Sequence, residues 1–338
     1  MQKQSCNAID DVMKHIFLIH SNTVLLSALG AISHENIVLR DVLFLFSRNF
    51  KSSIIPSEIH IKDISNLINY SCSRDFCYNI VKQDKYIKEI DTFIDTEVKD
   101  DYIMYVPHAG APFNVFITNK RCLNSCLLQE GAYSFFGVPK RDIKTKLKNL
   151  LFSNNRIWWT KTWDIPECKR HLLNLTKTYA IDESFFKPIK DTDNIVIKWP
   201  SINGDKRFYF PEKTNFFLFE TVVEEGFASI ESYLACCKKL IEDSGVSHCY
   251  LKFHPAQNEN NITRIKSLFK GLEIELVDNT IPFELVLSTS KNLNLYGFST
   301  SLLKFGSVLG HNITTYLDLL LTMSTKKYRD HLIAGKYI

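Results

Sequence analysis

The stretch His15-Ile16-Phe17-Leu18-Ile19-His20, continued by Ser21-Asn22-Thr23 and then Val24-Leu25-Leu26-Ser27-Ala28-Leu29-Gly30, decides the fold class. An apolar run, a polar turn rich in capping residues and a run of helix formers read as strand, turn and helix. Working outward, Asp41 to Ser47 reads as a second strand, Tyr102 to Val106 as a third and Ser125 to Leu128 as a fourth. Helical stretches and loops separate them. Strands alternating with helices imply a parallel sheet covered on both faces. A middle stretch, Arg156 to Leu175, holds Trp158, Trp159 and Trp163 and reads as irregular helix.

From about Asp191 the alternation restarts. Phe216 to Thr221, Cys249 to Phe253, Leu272 to Val277 and Asn292 to Tyr296 read as strands. Ala228 to Asp243 and Thr263 to Lys270 read as helices, another begins near Ser299, and Leu317 to Tyr337 reads as a C-terminal helix. The expectation is an α/β protein of two Rossmann-like halves joined near residues 185–210. Its domains are residues 1–190, residues 191–315 and a C-terminal helical segment over 316–338. Ligands of such sheets bind outside the carboxyl ends of the strands, so candidate residues are sought just after each strand.

Composition agrees with this. At ~150 residues per domain, 338 residues correspond to two domains. Hydrophobic residues at 45% and charged residues at 23% exclude a disordered or collagen-like chain. No apolar run reaches the ~20 residues that span a bilayer. The first residues lack the basic, apolar and small-residue order of a secretory signal, so a cytoplasmic protein is expected. Nine cysteines, an odd number, point to reduced thiols rather than disulfides. Cys72/Cys77 and Cys122/Cys126 could be read as zinc pairs, but no Cys-x-x-Cys occurs and free cysteine is common packing material. A net charge of +4 is too mild for a dedicated nucleic-acid binder. The denser run Lys140-Arg141-Asp142-Ile143-Lys144-Thr145-Lys146-Leu147-Lys148 suits either a solvated helix face or weak attraction to an anionic membrane or glycolipid.

Three strand ends carry unusual chemistry. Leu127-Leu128-Gln129-Glu130-Gly131 puts a carboxylate and a glycine directly after an apolar run. Tyr250-Leu251-Lys252-Phe253-His254-Pro255 ends a strand with Lys, His and a Pro that cannot continue the ladder. Tyr296-Gly297-Phe298-Ser299-Thr300-Ser301 passes from strand to helix through glycine and three hydroxyls. A helix start with hydroxyl side chains suits a phosphate, although Ser and Thr are also ordinary N-caps. Lys252 and His254, two apart on a strand, project to one side.

In this order, Gln129-Glu130-Gly131, Lys252-Phe253-His254-Pro255 and Ser299-Thr300-Ser301 resemble the motifs of the bacterial CMP-sialic acid-dependent sialyltransferases. The chain is most similar to the lipooligosaccharide sialyltransferases of glycosyltransferase family 52, with the capsular polysialyltransferases a near alternative. The resemblance implies a GT-B architecture, two Rossmann-like domains with parallel sheets and an interdomain cleft. It implies that Glu130 is the general base on an acceptor hydroxyl, with Gly131 allowing a tight turn beside it. His254 and Pro255 form the motif at the leaving CMP phosphate, where His254 acts as proton donor or hydrogen-bond partner and Lys252 adds charge. Ser299, Thr300 and Ser301 hold that phosphate, and Glu284 resembles an acidic residue that binds the cytidine ribose.

Two departures matter. Position 129 is Gln rather than an acid, and Glu224-Glu225-Gly226 meets the acidic motif in full, which makes Glu225 an alternative base. His108, in the loop Pro107-His108-Ala109-Gly110, could line the sugar pocket or lie at the surface. Asp191-Thr192-Asp193 has the form of a metal-binding Asp-x-Asp but lacks a preceding apolar strand, so it reads as loop. The resemblance implies no metal cofactor.

The expected reaction is transfer of sialic acid from CMP-Neu5Ac to a glycan hydroxyl, on galactose of lipopolysaccharide. It would occur in the cytoplasm with peripheral contact at the inner membrane; a homodimer stays open. Another GT-B glycosyltransferase with a different nucleotide sugar, or a non-catalytic nucleotide-sugar or glycan-binding protein, are the alternatives. Ionised Glu130 working with a titrating His254 leads to a bell-shaped pH profile.

Overall fold

A computed structural model describes residues 14–68, 80–108, 113–131, 174–186, 192–201 and 207–334. Trp158, Trp159, Trp163 and the basic run 140–148 lie outside the described residues. The chain divides into two compact units, one of residues 1–130 and 134–198 and the other of residues 131–133 and 199–338. Each is built on its own sheet.

The first sheet has seven strands: β1 (Lys14–Ile19), β2 (Val42–Phe46), β3 (His60–Asp63), β4 (Tyr102–Val106), β5 (Cys122–Leu128), β6 (Leu175–Ala180) and β7 (Asp193–Val196). Their order across the sheet is β3-β2-β1-β4-β5-β6-β7, and every pairing is parallel. Ile16, Phe17, Leu18 and Ile19 are fully buried because β1 is central and covered on both faces. Helix α1 (Asn22–Glu35) follows at once. Ser21 caps it by accepting from the Val24 N–H at 3.4 Å, and Asn36 ends it in the left-handed conformation at φ 53°. Helix α3 (Ile80–Phe93), as long as α1, and the single-turn helices α2 (Ser65–Ile68) and α4 (Asn114–Ile117) stand in the connections of this unit.

The second sheet has five parallel strands: β8 (Asn215–Leu218), β9 (His248–Lys252), β10 (Glu273–Leu276), β11 (Asn294–Gly297) and β12 (Asn312–Thr315), in the order β10-β9-β8-β11-β12. Its helices are α5 (Ile230–Ser244), α6 (Glu259–Lys266), α7 (Phe283–Thr289), α8 (Ser301–Val308), α9 (Leu317–Met323) and α10 (Lys326–Ala334). The order of each sheet reverses direction beside its first strand, between β1 and β4 and between β8 and β11. These are the switch points at which α/β sheets open a crevice for ligands.

Several boundaries differ from the sequence expectation. The division falls at Lys198 rather than residue 190 because Asp193–Val196 is a strand. It pairs in parallel with β6, and the Thr178 hydroxyl donates to Asn194 Oδ1 at 2.6 Å. Asp193 of the Asp-x-Asp sequence therefore opens an edge strand, while Asp191 lies outside the described residues. The single C-terminal helix is two helices. The chain breaks at Ser324-Thr325, where the Thr325 N–H donates to the Phe227 carbonyl at 2.8 Å. Leu320, Tyr328 and Leu332 enter the second unit's core, so this segment is part of that unit.

Gly30 shows how tightly α1 is seated. A Cβ there would sit 2.7 Å from the Lys198 carbonyl oxygen, a backbone atom that cannot swing aside. Gly30→Ala is expected to cost about 2 kcal/mol through overpacking. Urea unfolding of the variant against the parent measures this, and an unchanged midpoint would count against the packing described.

Candidate active site

In the first unit, four strand ends converge on one cluster. His20 follows β1, Arg48 follows β2, His108 follows β4 and Glu130 follows β5. These strands flank the β1/β4 switch point, so the doubly wound topology brings residues distant in the chain together. Glu130 Oε1 lies 3.0 Å from His20 Nε2, off the line of a directed hydrogen bond. The His20 side chain is only 3% exposed, whereas that of Glu130 is 32% exposed. The imidazole thus backs a carboxylate whose outer side faces water. Phe113, buried, stacks against His20 at 6.2 Å and lies against His108 at 4.6 Å between ring centres.

Burial pushes the Glu130 carboxyl up, but the contact with His20 and the electrostatic influence of His20, His108 and Arg48 together carry it below the usual carboxylate value. Burial lowers His108 more than Glu130 raises it, so His108 is neutral at pH 7. Arg48 and Asn49 adopt left-handed backbone at φ 58° and 54°, a strained conformation for residues with a Cβ. The bend is pinned: Asn49 N–H donates to Ser65 Oγ at 2.8 Å, and Ser65 N–H to Asp63 Oδ1 at 2.8 Å.

Gln129, the off-motif residue, is fully buried. Its Oε1 accepts from the Ile181 N–H at 3.0 Å, and its own N–H donates to the Tyr179 carbonyl at 3.0 Å. A neutral amide closes the end of the β5/β6 ladder, where an ionised acid would carry a desolvation cost. Gly131, expected to allow a tight turn beside Glu130, is the last described residue of this segment. A Cβ there would meet nothing within 4 Å, and its φ lies outside the positive range.

In the second unit, His254 and Pro255 form a turn after β9, closed by the Gln257 N–H donating to the His254 carbonyl at 3.0 Å. The His254 N–H donates to Gln257 Oε1 at 2.8 Å, and Nδ1 accepts from the Ala256 N–H at 3.1 Å. Because Nδ1 is the acceptor, the neutral ring carries its proton on Nε2. Burial lowers the imidazole's pKa more than Glu225 and Glu224 raise it. His254 is therefore a neutral N–H donor at pH 7.

Lys252 turns elsewhere. Its side chain is buried, and Nζ donates to the Asp278 carbonyl at 3.3 Å and to Asn279 Oδ1 at 3.0 Å, at the end of β10. Burial lowers its pKa, opposed by Glu284, which stands in the first turn of α7, and by Asp278. Glu224 accepts from the Asn258 N–H at 2.9 Å and so anchors the start of α6. Glu225 accepts from the Thr221 hydroxyl at 2.6 Å on an exposed turn, with Gly226 beside it at φ 69°.

At the β8/β11 switch point stands Glu220, which sequence reasoning passed over. The Ser299 N–H donates to its Oε1 at 3.1 Å and the Ser299 hydroxyl to its Oε2 at 3.0 Å. Ser299 Oγ is also 2.6 Å from the Tyr328 hydroxyl. Both Ser299 donors are thus committed to a carboxylate, which leaves Thr300 and Ser301 at the helix start. Thr300 caps α8 by accepting from the Leu302 N–H at 3.4 Å, and Ser301 is its first residue.

Burial pushes the Glu220 carboxyl up to about 7, against the lowering effect of its Ser299 bonds. A raised carboxyl holds its proton in the folded chain where the unfolded chain has lost it. Its contribution to stability is full below about 4.5 and is lost as pH rises to about 7. Glu220→Gln, which can reverse the hydroxyl chain, is expected to retain about 2 kcal/mol at pH 8 that the parent loses between pH 5 and 8. Denaturation midpoints at the two pH values test this; parallel changes in both proteins would contradict it.

No family model matches this chain, and no curated protein does. Among solved structures it is similar to a UDP-GlcNAc 2-epimerase from Methanocaldococcus jannaschii in complex with UDP-GlcNAc and UDP. That match has 11% identity over 92% of this chain and 92% of that one, at a TM-score of 0.49. A glycosyltransferase from Rickettsia africae ESF-5 matches with 10% identity over 96% and 91%, TM-score 0.45. WaaG, a glycosyltransferase involved in lipopolysaccharide biosynthesis, matches with 7% identity over 96% and 93%, TM-score 0.42. Likenesses this distant carry no argument about chemistry; the α/β fold stands on the two parallel sheets themselves.

Proposed function

We propose that this chain is an inverting glycosyltransferase that moves sialic acid from CMP-N-acetylneuraminic acid to a hydroxyl of a glycan or glycolipid. The observation that carries the reading is the Glu130 carboxylate, held ionised at the carboxyl ends of the first sheet with His20 3.0 Å behind it. A half-exposed, ionised carboxylate with a fixed back and a solvent-facing front suits proton removal from an acceptor hydroxyl. That oxygen then bonds to the anomeric carbon while the bond from carbon to the CMP phosphate breaks, and the electron pair departs on the phosphate.

The second unit supplies groups for that leaving phosphate. The His254 Nε2–H, the hydroxyls of Thr300 and Ser301 and the positive end of the α8 dipole suit growing negative charge. Ser299 acts here through Glu220 rather than on the phosphate. A phosphate monoester loses its second proton near pH 6, so hydrogen bonding from a neutral imidazole suffices at pH 7. Lys252 and Glu284, at the ends of β9 and the start of α7, are assigned to the nucleoside side. The order of the three motifs supports cytidine monophosphate as the nucleotide, and the glycolipid acceptor implies work at the cytoplasmic face of the inner membrane.

Purified protein incubated with CMP-Neu5Ac and a lactoside, without added metal, is expected to give sialyl-lactoside and CMP. Absence of both products would overturn the sialyltransferase reading. A second reading, a glycosyltransferase with another nucleotide sugar, is favoured by one observation: the second unit's donors recognise phosphate rather than base. Thermal shifts separate the two, because selective stabilisation by UDP or GDP over CMP favours the second.

A further inference from the structure

His20 is absent from the expected site residues, yet its environment is the least ordinary in the first unit. It is 8% exposed, and neither ring nitrogen has a directed hydrogen bond among the described residues. The neighbouring strand repeats the pattern. Ile19 pairs with Phe46 in the parallel β1/β2 register, so His20 and Ser47 are the next residues on adjacent strands. Ser47 Oγ is also buried with no partner among the described residues. Buried polar groups in folded proteins are nearly always satisfied, and two orphans at one sheet edge mark a place kept for something other than packing. An aliphatic residue would fill the His20 site without that cost.

Among the described residues, His20 lies against Glu130, whose Oε1 is 3.0 Å from Nε2. Resting on the function proposed above, we propose that His20 is the positioning residue of Glu130. Its Nε2–H steers Oε1 toward the buried side of the cluster and so sets the orientation in which the carboxylate meets the acceptor's hydroxyl. The other charged or titratable groups facing Glu130 are His108 and Arg48. His108 adds polarity from the β4 end, and Arg48 adds a permanent charge from the β2 end. Arg48 is exposed, whereas His20 is buried with Nε2 3.0 Å from the carboxylate, which gives His20 the steering role.

The test reads Glu130 directly and does not depend on turnover. Protein labelled with 13C at glutamate carboxyls is titrated by NMR, with Glu130→Gln used to assign the signal. His20→Ala is expected to raise the Glu130 midpoint by at least half a pH unit (about threefold in the proton equilibrium). His20→Gln, whose amide can reach the place of Nε2–H, is expected to restore most of that shift. A Glu130 midpoint identical in the parent and both variants overturns the proposal. In the sialyl-transfer assay, His20→Ala should lower kcat about tenfold with the donor KM unchanged, and His20→Gln should recover part of it. A donor KM effect with kcat untouched also overturns the proposal. If the parent transfers no sialic acid, the reaction assigned above fails while the carboxyl titration still decides the His20 pairing. Circular dichroism of both variants identifies loss of fold, and His20→Gln keeps the test open should His20→Ala not fold.

Discussion

Glu130→Gln is expected to reduce sialyl transfer by about 10³-fold, the middle-to-upper range for loss of a general base. The amide is nearly isosteric, so Nε2 of His20 can still lie against the side chain and the cluster should hold its shape. What disappears is the site that accepts the acceptor's proton. In the proposed reaction the donor is held by the second unit, so the KM for the donor is expected to change little. Glu225→Gln is the discriminating comparison. Glu225 sits on an exposed turn with its Oε1 occupied by the Thr221 hydroxyl, and its loss should cost less than tenfold. A large loss for Glu225→Gln with Glu130→Gln near parent activity would move the base to the second unit. The parent's pH profile belongs to the same argument. Glu130 is held below the usual carboxylate value, so the rate should rise at acid pH and reach its plateau early.

His254→Ala is expected to lower turnover by about 10²-fold, in line with removing a hydrogen-bond donor from developing charge. His254→Asn sharpens the assignment. Its side-chain oxygen can accept from the Ala256 N–H as Nδ1 does, but it cannot reach with an equivalent of Nε2–H. Equal losses in the two variants identify Nε2 as the working atom; an active His254→Asn would make the residue a turn former. Because burial lowers the imidazole's pKa, His254 is neutral at pH 7, and any limb due to its titration is expected on the acid side of pH 6.5. A fall in rate near pH 6.5 would restore the imidazolium as proton donor.

Legibility in the sequence differed between elements for a physical reason. Buried central strands such as β1, β4 and β8 announce themselves because each face meets a helix and their buried positions form an apolar run. Three of the edge strands do not. β3 is exposed along its length, and β7 and β12 are short and polar, so no apolar run marks them. Their pairing is imposed by a neighbour's unpaired backbone, which carries no side-chain signature. Position 129 is a similar case. Its departure from the acidic motif had no local explanation, whereas the buried Gln129 contact to Ile181 accounts for it.

For the site, the sequence by itself marked some of the strand ends that carry polar groups, since strand, turn and cap are written in neighbouring residues, but it passed over His20 and Glu220. His108 and Glu130 were both readable in this way. Only the tertiary structure decided that His20 stands behind Glu130 and that Ser299 gives both of its donors to Glu220. It also turned Lys252 toward Asn279. Those partnerships join residues on different strands, and they follow from strand order and parallel register rather than from spacing along the chain.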